Sequence, residues 1–128
     1  MRKTIIIFIF LMTSTYRGDL ALAQEEGKKC EKLKKEIRKL ISECQRCDAD
    51  KECFLDDNLN IGCPFGCYFI RSQAYDDSEN LALIRVEIEK YNSKCDKCIY
   101  DCDIRPKKQE IGCRQGKCID LRYYSKKQ

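Results

Sequence analysis

Glu36-Ile37-Arg38-Lys39-Leu40-Ile41-Ser42-Glu43-Cys44-Gln45-Arg46-Cys47 recurs 51 residues later as Glu87-Ile88-Glu89-Lys90-Tyr91-Asn92-Ser93-Lys94-Cys95-Asp96-Lys97-Cys98, with six of the twelve positions identical. Further on, Ile61-Gly62-Cys63-Pro64-Phe65-Gly66-Cys67 matches Ile111-Gly112-Cys113-Arg114-Gln115-Gly116-Lys117-Cys118 with one residue inserted, and Ile70-Arg71 then matches Leu121-Arg122. The cysteine spacing is C-x2-C-x5-C-x9-C-x3-C in the first half and C-x2-C-x3-C-x10-C-x4-C in the second. Two charged helices share Lys and Glu through composition alone, but composition does not set five cysteines in the same order. The spacing therefore predicts a duplicated unit, residues 24–74 and 75–128, with the two copies packed as one compact domain.

Each copy reads as a helix followed by a short cysteine-pinned β hairpin, so the expected fold is a small disulfide-rich α+β domain of two pseudo-repeats. From Lys29, Cys30, Leu33, Ile37, Leu40, Ile41 and Cys44 recur at helical spacing. Leu81, Ile84, Ile88, Tyr91 and Cys95 repeat the pattern after Asp76-Asp77-Ser78, residues suited to capping a first turn. Cys53-Phe54-Leu55 and Cys67-Tyr68-Phe69-Ile70 read as short strands. Ile111 to Cys113 and Cys118 to Tyr123 read as a hairpin whose turn can use positive φ at Gly116. Arg105-Pro106-Lys107-Lys108 reads as loop.

The amino terminus predicts export. Met1-Arg2-Lys3 is cationic, Thr4 to Met12 is almost wholly apolar, and Ala21-Leu22-Ala23 presents small residues for cleavage, which together make residues 1–23 a signal peptide. The apolar run is about half of the roughly 20 residues that a spanning helix needs, so no membrane span is expected after cleavage. The mature chain keeps 22 basic and 20 acidic residues, a balance without the clustered basic face of a nucleic-acid binder. All 11 cysteines lie in that mature part, so the expected location is secreted or periplasmic, where disulfides form.

Cys44, Cys47, Cys53, Cys63, Cys67, Cys95, Cys98, Cys102, Cys113 and Cys118 are the disulfide candidates. Pairing within each copy leaves one cysteine over in each, and these two are expected to join across the copies. Cys30 stands outside this scheme as the candidate for a free thiol or for a bridge between two chains. It cannot reach Cys44 on a straight helix, because fourteen residues span about 21 Å against the roughly 4.4–6.8 Å between Cα atoms in a disulfide.

Two chemical alternatives use the same sulfurs. Cys44, Cys47, Cys63 and Cys67, and likewise Cys95, Cys98, Cys113 and Cys118, could each supply a thiolate tetrahedron for a metal such as zinc. Alternatively the C-x2-C pairs could exchange disulfides, although Cys44 and Cys95 stand at helix C-termini, where the dipole disfavours a thiolate, and the chain has no histidine. Asp48-x-Asp50-x-Glu52 opens like a calcium loop but continues with Cys53 and Leu59 where Gly and Glu belong. The missing histidine removes a Ser-His-Asp triad, and no Gly-rich phosphate loop is present. No catalytic residue and no cofactor is implied. Phe65, Tyr68 and Phe69, on a short pinned loop, are the candidates for a surface that binds another protein, unless these rings simply fill the small core, the reading their size favours.

The pattern Cys44…Cys47-Asp48-x-Asp50-x-x-Cys53, Cys63-Pro64-Phe65-Gly66-Cys67, Cys95-x2-Cys98-x3-Cys102 and Cys113-x-x-Gly116-Lys117-Cys118 resembles small exported bacterial proteins rich in cysteine that carry no assigned function. The resemblance covers most of the mature chain and implies an envelope location and nothing about activity; Cys30 and the basic tail stand outside it. The expected role is that of an exported, disulfide-stapled, non-enzymatic binding or structural factor. The metal-binding protein and the thiol–disulfide oxidoreductase are its alternatives.

Overall fold

The computed structural model describes residues 2–74, 78–96 and 98–124, with the side chains of residues 2–17, 19 and 78 excepted. Its elements in order are helix α1 (Arg2–Cys44), strands β1 (Cys53–Leu55) and β2 (Ile70–Ser72), helix α2 (Ser78–Lys94), and strands β3 (Ile111–Arg114) and β4 (Lys117–Asp120). Short 3-10 turns occupy Asp50–Glu52, Lys108–Glu110 and Leu121–Tyr123. Among the described residues this is a small α+β fold with two helices and two antiparallel hairpins. Among the described residues no helix is long and apolar enough to cross a membrane.

The chain divides into two compact units, Met1–Lys32 and Leu33–Gln128. The first is helical throughout its described part, and its residues 20–29 are exposed. Helix α1 therefore begins well before the Lys29 expected from its apolar spacing. No proline interrupts residues 2–44, and Gly18 and Gly27 each cost a helix only about 1 kcal/mol.

In the second unit α1 buries Leu33, Ile37, Ile41 and Cys44, at intervals of four, four and three that hold them on one face. Helix α2 buries Ile84, Ile88 and Tyr91 in the same way, and Leu59, Ile61 and Phe69 complete this larger core. Ile37 and Ile84 are fully buried, and each contributes about 1.5–3 kcal/mol through the surface it removes from water. The Asp76 and Asp77 expected to cap α2 lie outside the described residues.

The hairpins form a second core of Cys47, Cys53, Ile70, Ile111 and Cys118, with Leu55 and Cys113 packed on it. In the first hairpin Cys53, Phe54 and Leu55 face Ser72, Arg71 and Ile70. Its second strand starts three residues later than expected. The Cys67 bridge to Cys102 and the Tyr68 hydroxyl bond to the Asp103 carbonyl draw that stretch away from β1. Pairing begins at Phe69, whose carbonyl accepts from the Asp56 amide at 2.8 Å. The second hairpin turns as expected, through Gln115 (φ 53°) and Gly116 (φ 74°), the two-residue left-handed turn whose twist matches the strands. Strand β4 stops at Asp120 instead of running on to Tyr123, because the Asp120 carboxylate accepts from the Arg122 amide and starts a 3-10 turn.

Gln45 and the residues after it tie α1 to both hairpins. The Gln45 side chain donates to the Ile70 carbonyl at 2.9 Å, and its own carbonyl accepts from the Cys118 amide at 2.8 Å. Asp56, only 5 % exposed, pairs with Arg71 at 2.5 Å, while Arg71 also stacks over the Phe54 ring. Burial pushes the Asp56 carboxyl up, but the Arg71 guanidinium and the Asn58 amide outweigh it and hold the group below the usual carboxylate range. A carboxyl whose pKa is lower folded than unfolded binds fewer protons in the native state, so its stabilisation is complete above about pH 4 and is lost as pH falls through the folded value. The melting temperature is expected to fall on acidification below about pH 4, and Asp56→Asn makes that acid limb shallower. Thermal melts between pH 7 and pH 2 check this, and identical acid limbs for the two proteins refute it.

Candidate functional site

Four disulfides within Leu33–Gln128 organise the site: Cys47–Cys113, Cys53–Cys118, Cys63–Cys98 and Cys67–Cys102. Each joins the first half of the chain to the second, and none pairs cysteines within one half as expected from the odd count. The packing supplies the reason, since the two hairpins lie against one another with cysteines between them. The order of pairing is reciprocal. Counted from Cys44 and from Cys95, the second and third cysteines of each half bond to the fourth and fifth of the other.

The roles expected for Cys30 and Cys44 are exchanged. Cys30 is disulfide-bonded, which removes it as a free thiol or an interchain bridge, and so is Cys95. Cys44 is the cysteine outside the disulfides. It continues the Ile37–Ile41 face of α1 and lies 1 % exposed in the apolar core, whereas the hairpin sulfurs line the second cluster. The two expected metal tetrads are not assembled, because Cys47, Cys63 and Cys67 are each bonded to a cysteine of the other half. The sulfurs of Cys47, Cys53 and Cys118 lie within 4.8 Å of one another, but all three belong to disulfides and offer no thiolate. The C-x2-C pairs are likewise split, with Cys47 bonded to Cys113 and Cys98 to Cys63.

The two bridge pairs frame two different surfaces. At the first, residues 47–53 lie against the β3–β4 hairpin and are closed by hydrogen bonds. The Cys47 amide donates to the Gly116 carbonyl at 3.1 Å. The Asp50 carboxylate accepts from the Cys113 amide at 2.7 Å and from Arg114 at 2.8 Å, and Glu52 accepts from the Asp48 amide at 2.7 Å. The Cys113 amide, with Arg114, holds the Asp50 carboxyl below its ordinary range against the opposing effect of burial. A Cβ on Gly112 would fall 2.8 Å from Asp50 Oδ1, so any larger residue there would have to displace the Asp50 carboxylate. Of the carboxylates that resemble a calcium loop, those of Asp50 and Glu52 accept from these protein donors.

At the second pair, residues 98–102 are strapped to residues 63–67 by the Cys63–Cys98 and Cys67–Cys102 bridges. The chain from Cys98 to Asp103 contains neither turn nor bend. Among the described residues no backbone N–H or C=O of Ile99–Cys102 takes part in a hydrogen bond. The Tyr100 hydroxyl donates to the Pro64 carbonyl at 2.9 Å. Just downstream the chain is anchored again. The Asp103 carbonyl accepts from Tyr68 and its carboxylate from Tyr123, whose phenol this contact pushes up. The Ile104 carbonyl accepts from Arg122 at 2.7 Å, and Arg105 pairs with Asp57 at 2.5 Å. Between these fixings Ile99 is 95 % exposed and Ile104 86 %, with Tyr100 at 45 %.

Of the two readings of the pinned-loop aromatics, the packing follows the core-filling one for Phe69 and Phe65. Phe69 is 2 % exposed in the main core, Phe65 packs edge-on against Tyr91 with centroids 5.2 Å apart, and the half-buried Tyr68 serves as a strut to Asp103. They are drawn inward because a core of this size needs their volume. The exposed apolar residues were signalled by Ile99-Tyr100 within the short Cys98-x3-Cys102 loop, a span too brief to bury both. No family model, curated protein or solved structure matches the chain.

Proposed function

We propose that this chain is an exported, non-enzymatic binding module built from two copies of one unit, and that it meets a partner protein through the pinned segment Cys98–Ile104. The reciprocal bridge order supports the duplication, because exchange of the two halves maps the four disulfides onto themselves. Bridges in this number and the signal-like residues 1–23 support an oxidising compartment, secreted or periplasmic. One observation carries the contact surface. Under the same exchange residues 47–53 correspond to 98–102, yet the first stretch is closed by hydrogen bonds while the second leaves its backbone open beneath Ile99. The framework can close such a stretch, so the open one is not a requirement of folding. Apolar side chains this exposed contribute almost nothing to the core and mark a recognition surface when they cluster. A segment fixed at both ends loses little entropy on binding.

The double variant Ile99→Asp/Ile104→Asp tests this. Its stability is expected to stay within about 1 kcal/mol of the parent, the usual range for two surface substitutions. A photo-crosslinker at position 99 is expected to give one saturable adduct in the exported fraction, displaced by excess parent protein and not by the double variant. A variant that unfolds makes these residues structural and overturns the reading, as does an adduct that both competitors displace equally.

A further inference from the structure

The open backbone and the exposed Ile99 side chain specify what kind of cleft fits this surface. We propose that the Cys98–Cys102 segment occupies the active-site cleft of an extracellular serine protease as an inhibitor, with Ile99 in an aliphatic specificity pocket; this rests on the binding role given above. A protease cleft recognises substrate as an extended chain, through main-chain hydrogen bonds and a pocket for the residue before the scissile bond. Ile99–Cys102 offers free backbone groups on an unturned stretch, and Ile99, at 95 %, is the most exposed large apolar residue among those described. Ile104 does not qualify, because its carbonyl is held by Arg122 and the carbonyl before it by Tyr68.

The bridges also explain why such a segment inhibits instead of being consumed. Hydrolysis adds water across the Ile99–Tyr100 amide and leaves a carboxylate on Ile99 and an amine on Tyr100. Cys98 remains bonded to Cys63 and Cys102 to Cys67, while the Tyr100 hydroxyl stays on the Pro64 carbonyl. The new ends cannot separate, so re-formation of the amide with loss of water competes with release of product. The entropy that drives ordinary proteolysis forward is withheld.

The test uses the full mature chain against an elastase-type protease, whose pocket takes small aliphatic residues, and a trypsin-type protease, whose pocket carries a carboxylate. Stoichiometric inhibition of the elastase-type enzyme on a small chromogenic substrate is expected. Ile99→Arg is expected to weaken that inhibition by about 100-fold and to create inhibition of the trypsin-type enzyme of similar size, because exchange of an aliphatic for a cationic side chain reverses pocket preference. Val86→Arg, on the exposed side of α2 and outside the contact segment, should leave both inhibition constants within about twofold. Absence of inhibition by the parent chain, or its turnover as an ordinary substrate, overturns the proposal whatever the variants do. If the crosslinked adduct at position 99 persists in that case, the binding reading stands and only the protease falls.

Discussion

Replacing Cys47, Cys53, Cys113 and Cys118 together by Ala is expected to abolish cooperative folding, whereas removing either bridge alone is expected to leave a folded protein. The two bridges close loops of 66 and 65 residues that are nearly the same loop. The first to form restricts the unfolded chain by about 4 kcal/mol, but the second then closes a ring of only about 11 residues, worth about 3 kcal/mol. Losing one bridge therefore costs about 3 kcal/mol and losing both about 7 kcal/mol, against a typical total stability of about 5–15 kcal/mol. Cys118 is wholly buried, so its truncation adds a packing loss on top. Urea unfolding of the two double variants and the quadruple variant checks this order. A quadruple variant with an unchanged midpoint contradicts it.

Phe69→Ala is expected to destabilise the protein by about 3–5 kcal/mol, the usual cost of deleting a buried aromatic ring from a core that only partly relaxes. Phe69 packs with Ile61, Ile84 and Ile88 in the larger cluster, and its carbonyl also starts the pairing of β2 with β1. Phe65, half-buried and edge-on to Tyr91, loses less when truncated. Thermal melts of the two variants beside Ile99→Asp distinguish a core residue from a surface one within the same pinned region. A Phe69→Ala protein that melts with the parent places the ring outside the core and contradicts this packing.

Local patterns in the sequence carried much of the architecture. The apolar spacing of Ile37, Ile41 and Cys44 and of Ile84, Ile88 and Tyr91 specifies the two buried helix faces, and Gly116 marks the tight turn. The long-range pairing of cysteines was not legible in the same way. Which sulfurs meet depends on how the hairpins stack, and C-x2-C spacing is compatible with a bridge, a metal or, as found, two bridges leading apart. Cys44 shows the same limit, because a cysteine on an apolar helix face reads as a disulfide partner until the core around it is known. The pinned-loop aromatics show how ring volume decides between a surface and a core. Phe65 and Phe69 carry the larger rings and so fill the core, which leaves the smaller Ile99 and Ile104 outside.

Digestion of the exported protein without reduction, with thiols first blocked and the joined peptides then identified by mass spectrometry, bears most directly on the framework. Peptides linking Cys47 to Cys113, Cys53 to Cys118, Cys63 to Cys98 and Cys67 to Cys102 are expected, with Cys44 alkylated only after unfolding. Recovery of Cys63 joined to Cys67, or of Cys98 joined to Cys102, would mean that each half closes on itself and that the strapped segment does not exist.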